Sequence, residues 1–310
     1  MRAASSQASS ALGNCRVTRR SADVRTGCAR RESGEPVAGV DDGSIRERVA
    51  EIPEWYHTLE LAPGVVTPGW FDLRDLPRRV PMPASTAGKR CLDIGTFDGF
   101  WAFELERRGA DEVMAIDVLD PKKWDWPVGS EASVIEAVGR RKAAGRGFEV
   151  AREALGSKVE RLEMSVYDLD PAVVGTFDFV YVGSLLLHLR DPVRAVERVA
   201  TVCRGDALFV DAVDLPLSRL FPRRPIATLD AVGRPWWWKP NLAGVARIVN
   251  VGGFDIVRGP QLVYMRAGAG FTPGKVPLRR LRRLDGWQER VTLRRGEPHG
   301  AVLARPRVSG

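Results

Sequence analysis

The sequence predicts an α/β protein with a doubly wound, mostly parallel seven-stranded sheet and an antiparallel C-terminal hairpin. Three observations carry this. From Lys89 onward, short β-branched and aromatic runs alternate with helical segments, the pattern of parallel strands joined by crossover helices. The first run feeds a tight turn, Gly95-Thr96-Phe97-Asp98-Gly99, that opens a helix. The last two runs flank Gly259-Pro260 with no helix between them, which reads as an antiparallel edge.

Composition narrows the class. A chain of 310 residues, 44% hydrophobic and 28% charged, is long enough for one large α/β domain with additions. No stretch approaches the ~20 apolar residues of a membrane span, so no membrane partner is expected. The four cysteines, at 15, 28, 91 and 203, form no Cys-x-x-Cys pair, and there are three histidines. No metal site and no disulfide framework is therefore expected. Cys91 and Cys203 read as small core residues, and free thiols fit a cytoplasmic location. Nothing in the sequence fixes an oligomeric state.

Four segments follow in order. Residues 1–44 are poor in large apolar side chains and read as a disordered extension. Its arginines resemble a transit peptide in composition, without a convincing amphipathic helix. Residues 45–88 form a cover segment. Ile45, Val49, Ile52 and Tyr56 recur at helical spacing, and Pro63-Gly64 and Pro68-Gly69 punctuate a loop around Trp70-Phe71. Residues 89–268 are the ligand-binding domain, with strands at 91–94, 112–116, 159–166, 177–182 and 207–210. Its helices cover 100–108, 148–155, the segment after Asp191-Pro192, and 242–251. The stretch 119–150 reads as an irregular insertion before its last helix, and 254–257 with 261–265 as the closing hairpin. Residues 269–310 form a basic extension: from 270 on, ten Lys and Arg face three acids, a net +7 within a chain total of +8. Such a tail is a solvated face or a contact for RNA.

The chemistry concentrates at the strand ends. Asp93 precedes the glycine turn, Asp117 ends the next strand, and Asp168 ends the third. In open α/β sheets, ligands sit beyond the carboxyl ends of the strands. A carboxylate at Asp117 suits two ribose hydroxyls, and one at Asp168 suits an adenine amino group. A dinucleotide site requires Gly-x-Gly-x-x-Gly, because pyrophosphate rests on bare amides. Here Phe97 and Asp98 occupy the turn, which suits a phosphate-free, cationic ligand and argues against a dehydrogenase.

The chain resembles class I S-adenosylmethionine-dependent methyltransferases, and within them the branch of tRNA wobble-uridine (5-carboxymethoxyuridine/5-methoxyuridine) methyltransferases. The resemblance spans about residues 50–268. It is carried by Thr67-Pro68-Gly69-Trp70-Phe71-Asp72-Leu73-Arg74, Leu92-Asp93-Ile94-Gly95-Thr96-Phe97-Asp98-Gly99-Phe100-Trp101, Glu106-Arg107-Arg108-Gly109-Ala110 and Ser165-Val166-Tyr167-Asp168-Leu169. Leu185-Leu186-Leu187-His188-Leu189-Arg190-Asp191-Pro192 and Trp237-Trp238-Lys239-Pro240-Asn241 extend it. It implies a Rossmann-like fold and S-adenosyl-L-methionine as cofactor. It places Asp93, Gly95 and Gly99 around the methionine part, Asp117 on ribose, and Tyr167 with Asp168 beside adenine. Thr96, Phe97, Val118, Gly183 and Ser184 complete the expected cofactor contacts. The tryptophan-rich segment that helps that branch bind carboxy-S-adenosylmethionine is absent before the first strand, as is the long RNA-facing N-terminal region.

The expected reaction is therefore transfer of a methyl group to an oxygen or nitrogen of a small-molecule or sugar-like acceptor. An RNA methyltransferase and a non-catalytic cofactor-binding protein are the alternatives. His188 and His57 are the candidate bases. The competing readings are a helix-capping role for His188 and a packing role for His57. Asp211 is a further candidate. Trp70, Trp237 and Trp238 are candidate acceptor walls, or anchors of a lid loop. Trp124 and Trp126 border adenine or pin their own loop.

Overall fold

The computed structural model describes residues 42–231, 235–271 and 284–307. Helix α1 (Asp42–Ala50) buries Ile45 and Val49; Ile52 and Tyr56, expected to continue the same helix, lie past its end, Tyr56 on a strand. Strand β1 (Trp55–His57), a hairpin of β2 (Glu60–Ala62) and β3 (Val65–Val66), and strand β4 (Gly69–Asp72) complete the cover segment. There follow β5 (Arg90–Ile94), α2 (Phe100–Arg107), β6 (Glu112–Asp117), α3 (Ala132–Lys142), α4 (Arg146–Ala154) and β7 (Glu160–Glu163). Next come α5 (Pro171–Val174), β8 (Phe177–Gly183), α6 (Pro192–Val202), β9 (Cys203–Ala212) and α7 (Leu215–Leu220). The chain then runs through β10 (Ala227–Leu229), β11 (Trp238–Pro240), α8 (Leu242–Val251), β12 (Phe254–Ala267), α9 (Leu284–Arg295) and β13 (Glu297–Pro306).

Nine strands join in one sheet, in the order β1-β4-β12-β13-β9-β8-β5-β6-β7. The five from β7 to β9 are parallel. The chain winds outward from β5 through β6 to β7, then returns to the other side of β5 with β8 and β9. The strand order thus reverses between β5 and β8, and at such a switch point the carboxyl ends leave a crevice.

Alternating side chains divide the core. Cys91, Phe179 and Leu208 pack on one face with Leu105 and Phe148. Leu92, Val180 and Phe209 pack on the other with Val196, Val199, Val245 and Val249. Helix starts follow capping chemistry. Asp191 accepts from the Arg194 N–H at 3.0 Å, with Pro192 behind it. Asn241 accepts from the Gly244 N–H at 2.8 Å.

The sheet departs from expectation at one edge and in its antiparallel part, which lies inside the sheet. β1 and β4 extend it from seven strands to nine. The antiparallel C-terminal pair is present, but its members differ. Residues 254–257 and 261–265 belong to one long strand, β12, whose register shifts between Ile256 and Gln261. Proline has no N–H to give a ladder, and Gly259 takes a φ of +101°, so Gly259-Pro260 makes an irregularity rather than a turn. The partner is β13, from within the basic tail, inserted antiparallel between β12 and β9. Its Ala301, Val302 and Ala304 are fully buried. Residues 1–41 of the expected extension lie outside the described residues, as do Cys15, Cys28 and the basic cluster of 275–283, while residues 42–44 open α1. Residues 119–150 hold α3 as well as the start of α4. Among the described residues, no helix is long and apolar enough to cross a membrane.

Gly99 is a position only glycine fills. Its φ is +90°, and a Cβ there would lie 2.4 Å from the Phe103 ring. Gly99→Ala is expected to cost about 3 kcal/mol of folding free energy from backbone strain and overpacking, read as a lower midpoint in urea.

Candidate functional site

A cleft holding about 1160 Å³ of atom-free space opens at the carboxyl ends of β5, β6 and β8. Asp93, Gly95, Phe97, Asp117, Val118, Tyr167, Gly183, Ser184, His57 and His188 all line it. Ten of the sixteen sequence-selected site residues are therefore brought together. Thr96, Gly99, Asp168, Trp70, Trp237 and Trp238 are not in the lining.

Asp93 is 1% exposed. Its Oδ2 accepts from the Ala102 N–H at 3.1 Å, on the first turn of α2. Burial lifts its carboxyl to about 7. Gly95 turns the chain with a φ of +79°, and Phe97 follows in the same left-handed region at +49°.

Asp117 is nearly buried and fully engaged. Its Oδ2 accepts from the Phe97 N–H at 3.0 Å and its Oδ1 from the Val118 N–H at 2.8 Å. Lys142 Nζ lies 2.7 Å from both oxygens. The same ammonium sits over the rings of Phe97 and Trp124. Lys142 ends α3 immediately before Ala143, Ala144 and Gly145, all at positive φ. A buried ion pair gains little net stability, and two alanines in the left-handed region cost free energy. Lys142 thus holds the carboxylate on a strained support. No sequence signal singled it out, because it lies in a stretch that read as irregular.

Asp98 does not face the cleft. Its Oδ2 accepts from the Tyr56 N–H at 2.6 Å and the His57 N–H at 3.0 Å. The glycine turn therefore grips β1 and sets Tyr56 and His57 against the cleft. Burial lifts Asp98 to about 7. It also drives His57 down to about 3, so that ring is neutral, and its buried Nδ1 has no hydrogen-bond partner.

Asp211 is a loop anchor. It accepts from the N–H groups of Leu185, Leu186, Leu187 and Ala212 at 2.7–3.3 Å. His188 Nδ1 donates to the Pro235 carbonyl at 2.7 Å, and the helix cap beside it is Asp191. Burial lowers the His188 pKa.

Asp168 is exposed, at the end of a 3₁₀ turn covering Val166–Asp168. Its neighbours Ser165, Val166 and Tyr167 face the cleft instead. The Tyr167 hydroxyl donates to Asp125 Oδ2 at 2.7 Å, and Asp125 also accepts from the Arg190 N–H. Trp237 Nε1 donates to the Asp125 carbonyl and Trp238 Nε1 to the Arg190 carbonyl. These two indoles pin the loops at the cleft rim. Trp124 lines the cleft, whereas Trp126 donates to the Pro121 carbonyl and holds that loop. Trp70 packs half-buried against the core. Cys91 and Cys203 are buried free thiols. No metal-ligating cluster occurs among the described residues.

No family model matches the chain, and no curated protein matches it. Among solved structures, it is similar to the N-terminal domain of EvdMO1 with S-adenosylhomocysteine bound. The identity is 16%, over 87% of this chain and 98% of that one, with a TM-score of 0.44. It is also similar to magnesium protoporphyrin IX methyltransferase from Synechocystis with bound S-adenosylhomocysteine, at 15% identity over 72% of this chain and 76% of that one, TM-score 0.41. A third likeness is to the Burkholderia thailandensis 1,6-didemethyltoxoflavin-N1-methyltransferase, at 12% identity over 72% of each chain, TM-score 0.41.

Buried acids and buried histidines pull stability in opposite directions with pH. An aspartate held at about 7 when folded and near 3.8 when unfolded loses stability as pH rises through that window. A histidine held at about 3 gains stability as pH rises toward 6.5. The Asp98 contribution is isolated by Asp98→Asn, which keeps an acceptor for both N–H groups. Between pH 5 and 7 the variant is expected to gain on wild type by about 1 kcal/mol per pH unit, measured by denaturant titration at each pH.

Proposed function

We propose that the chain is an S-adenosylmethionine-dependent methyltransferase acting on an oxygen or nitrogen of a small-molecule acceptor, with its workplace in the cytoplasm. One observation carries this reading: Asp93 and Asp117, at the ends of adjacent parallel strands, share one cleft at the switch point with Gly95 and Phe97. Two buried acids suit the ammonium and the ribose of this cofactor.

The local chemistry disfavours a dinucleotide. The Ala102 amide, which a pyrophosphate would seek at the start of α2, is already taken by Asp93. Phe97 stands in the turn where a second glycine would have to be.

The residues present fit the proposed cofactor with one exchange. Asp93 would hold the ammonium, and that cation would keep its carboxylate ionised. The backbone around Gly95 would follow the methionine part. Asp117 would receive the ribose hydroxyls once Lys142 gives up the carboxylate, while the Phe97 and Val118 amides keep it oriented. Trp124, Val166 and Tyr167 would frame the base. When bound, the cofactor supplies a methyl group on a sulfonium, a strong electrophile. The protein's own contribution is then to position the acceptor and take its proton. Tyr56 and His57 line the cleft from the cover segment, and Trp101 and Tyr181 line it from α2 and β8.

The acceptor reading favours small molecules. Arg305 and Arg307, in the basic tail, already pair with Asp206 and Asp255, and β13 is a sheet strand. The residues that carry the wobble-uridine likeness in 185–192 and 237–241 serve here as loop anchors and rim pins.

Methyl-labelled S-adenosylmethionine is to be incubated with cell-free metabolite and RNA fractions separately. Label in the metabolite fraction is the expected result. Label in RNA alone moves the acceptor class, and binding without transfer to either leaves a non-catalytic binding protein. Asp117→Ala is expected to weaken S-adenosylmethionine binding by at least tenfold in calorimetry, through lost hydrogen bonds to a charged partner. Lys142→Ala, which removes the competing cation, is expected to tighten binding several-fold. Looser binding in that variant would mean that Lys142 holds the ligand rather than its place.

A further inference from the structure

We propose that Ser184 and His299 form the proton relay that deprotonates the methyl acceptor, an assignment that rests on the methyltransferase reading above. Ser184 follows the last residue of β8 and lines the cleft. Its Oγ lies 3.0 Å from His299 Nε2 and 3.4 Å from Met265 Sδ. On the other side of the ring, His299 Nδ1 lies 3.1 Å from the Glu297 carbonyl oxygen. A carbonyl oxygen only accepts, so Nδ1 carries the hydrogen. In the neutral ring Nε2 is then a bare lone pair. Ser184 donates its one proton to that nitrogen rather than to the thioether, a weak acceptor.

The pair is held rigidly. His299 is 1% exposed, and its backbone is in register with Ala212 on β9 and Val263 on β12. Ser184 has a φ of +47°, a region that residues other than glycine rarely occupy. Its N–H donates to the Val210 carbonyl at 2.8 Å, and Asp211 grips the three residues that follow. Strained residues of this kind cluster at functional sites. Tyr56 lines the cleft as well. Neither other histidine is joined to the cleft in this way. His57 lines the cleft with an Nδ1 that has no hydrogen-bond partner. His188 lines the cleft with its Nδ1 on the Pro235 carbonyl, and the hydrogen bonds described for it include no serine hydroxyl.

The step balances as follows. The acceptor's X–H donates to Ser184 Oγ. As the X–CH₃ bond forms, the CH₃–S bond breaks and leaves its electron pair on sulfur. The acceptor proton passes to Oγ, and the proton that Oγ held passes to His299 Nε2. The products are the methylated acceptor, a neutral thioether and an imidazolium, which carries the positive charge that the sulfonium brought in.

The test uses the full chain as wild type, Ser184→Ala and His299→Gln. Long-range ¹H–¹⁵N spectra of ¹⁵N-histidine-labelled protein read the ring tautomers with no turnover. His299 is expected in the Nδ1–H form, with an Nε2 resonance that moves in Ser184→Ala. A doubly protonated or Nε2–H ring in neutral buffer overturns the relay. Methyl transfer is then compared in two reactions. One is transfer from labelled S-adenosylmethionine into the cell-free metabolite fraction. The other is methylation of S-adenosylhomocysteine by methyl iodide, in which iodide leaves and no proton moves. In both variants the first reaction is expected to fall about 100-fold further than the second. Equal losses in the two reactions overturn the relay. Should His299→Gln fail to fold, Ser184→Ala and the wild-type tautomer decide. A wild-type chain that binds no S-adenosylhomocysteine in calorimetry overturns the cofactor reading itself, independently of either variant.

Discussion

The cleft depends on one buried carboxylate, Asp98. It lies in the glycine turn between β5 and α2, yet its oxygen reaches the amides of Tyr56 and His57 in β1. Without it, two strand amides would be left unsatisfied in a buried place, at a cost of about 1–3 kcal/mol each. With it, the turn that shapes the ligand side and the strand that supplies the cover are one unit. The Tyr56 and Phe97 rings lie 4.9 Å apart across that junction. The cover segment is for this reason part of the site's wall, and β4 then carries it into the sheet beside β12.

Charge within the cleft is arranged rather than abundant. Three acids line the cleft, Asp93, Asp117 and Asp125. Asp93 is held near neutrality by burial, and Asp117 is met by a lysine. The three histidines are all depressed by burial, so they present lone pairs rather than cations. Among the described residues, the cations that line the cleft are Lys123, paired with Glu163, and Lys142. Lys142 keeps Asp117 compensated, at the end of a helix whose exit residues are strained.

Much of the fold was legible because it is local. The alternation of strand and helix, the Asp191-Pro192 cap, the helix over 242–251 and the glycine turn each depend on residues within a few positions of one another. The acids at 93 and 117 were legible for the same reason, since a strand end is a local event. What was hidden depends on distant partners. Asp98 reads as an anion in a turn until its amides, some 41 residues away, are known. Asp168 reads as a strand-end acid, but β7 ends at Glu163 and a 3₁₀ turn rotates Asp168 outward, leaving Ser165 and Val166 at the cleft. Trp237 and Trp238 read as an aromatic wall. Their indole N–H groups find carbonyls 112 and 48 residues distant instead.

The basic tail shows most clearly how composition misleads. Its net charge drew attention to arginines, whereas its structural content lies in the apolar run Ala301, Val302, Leu303 and Ala304. That run has no local signal for its register. It is placed by two antiparallel ladders, to β9 on one side and β12 on the other. Insertion between them carries His299 inside the sheet, next to the end of β8. His299, near the end of the sequence, thereby becomes the ring that touches Ser184. If the cleft's proton acceptor comes from β13, the antiparallel insertion is a functional element as well as a structural one. Chain order then says little about which histidine serves the chemistry, and the hydrogen-bond partner of each ring nitrogen says a great deal.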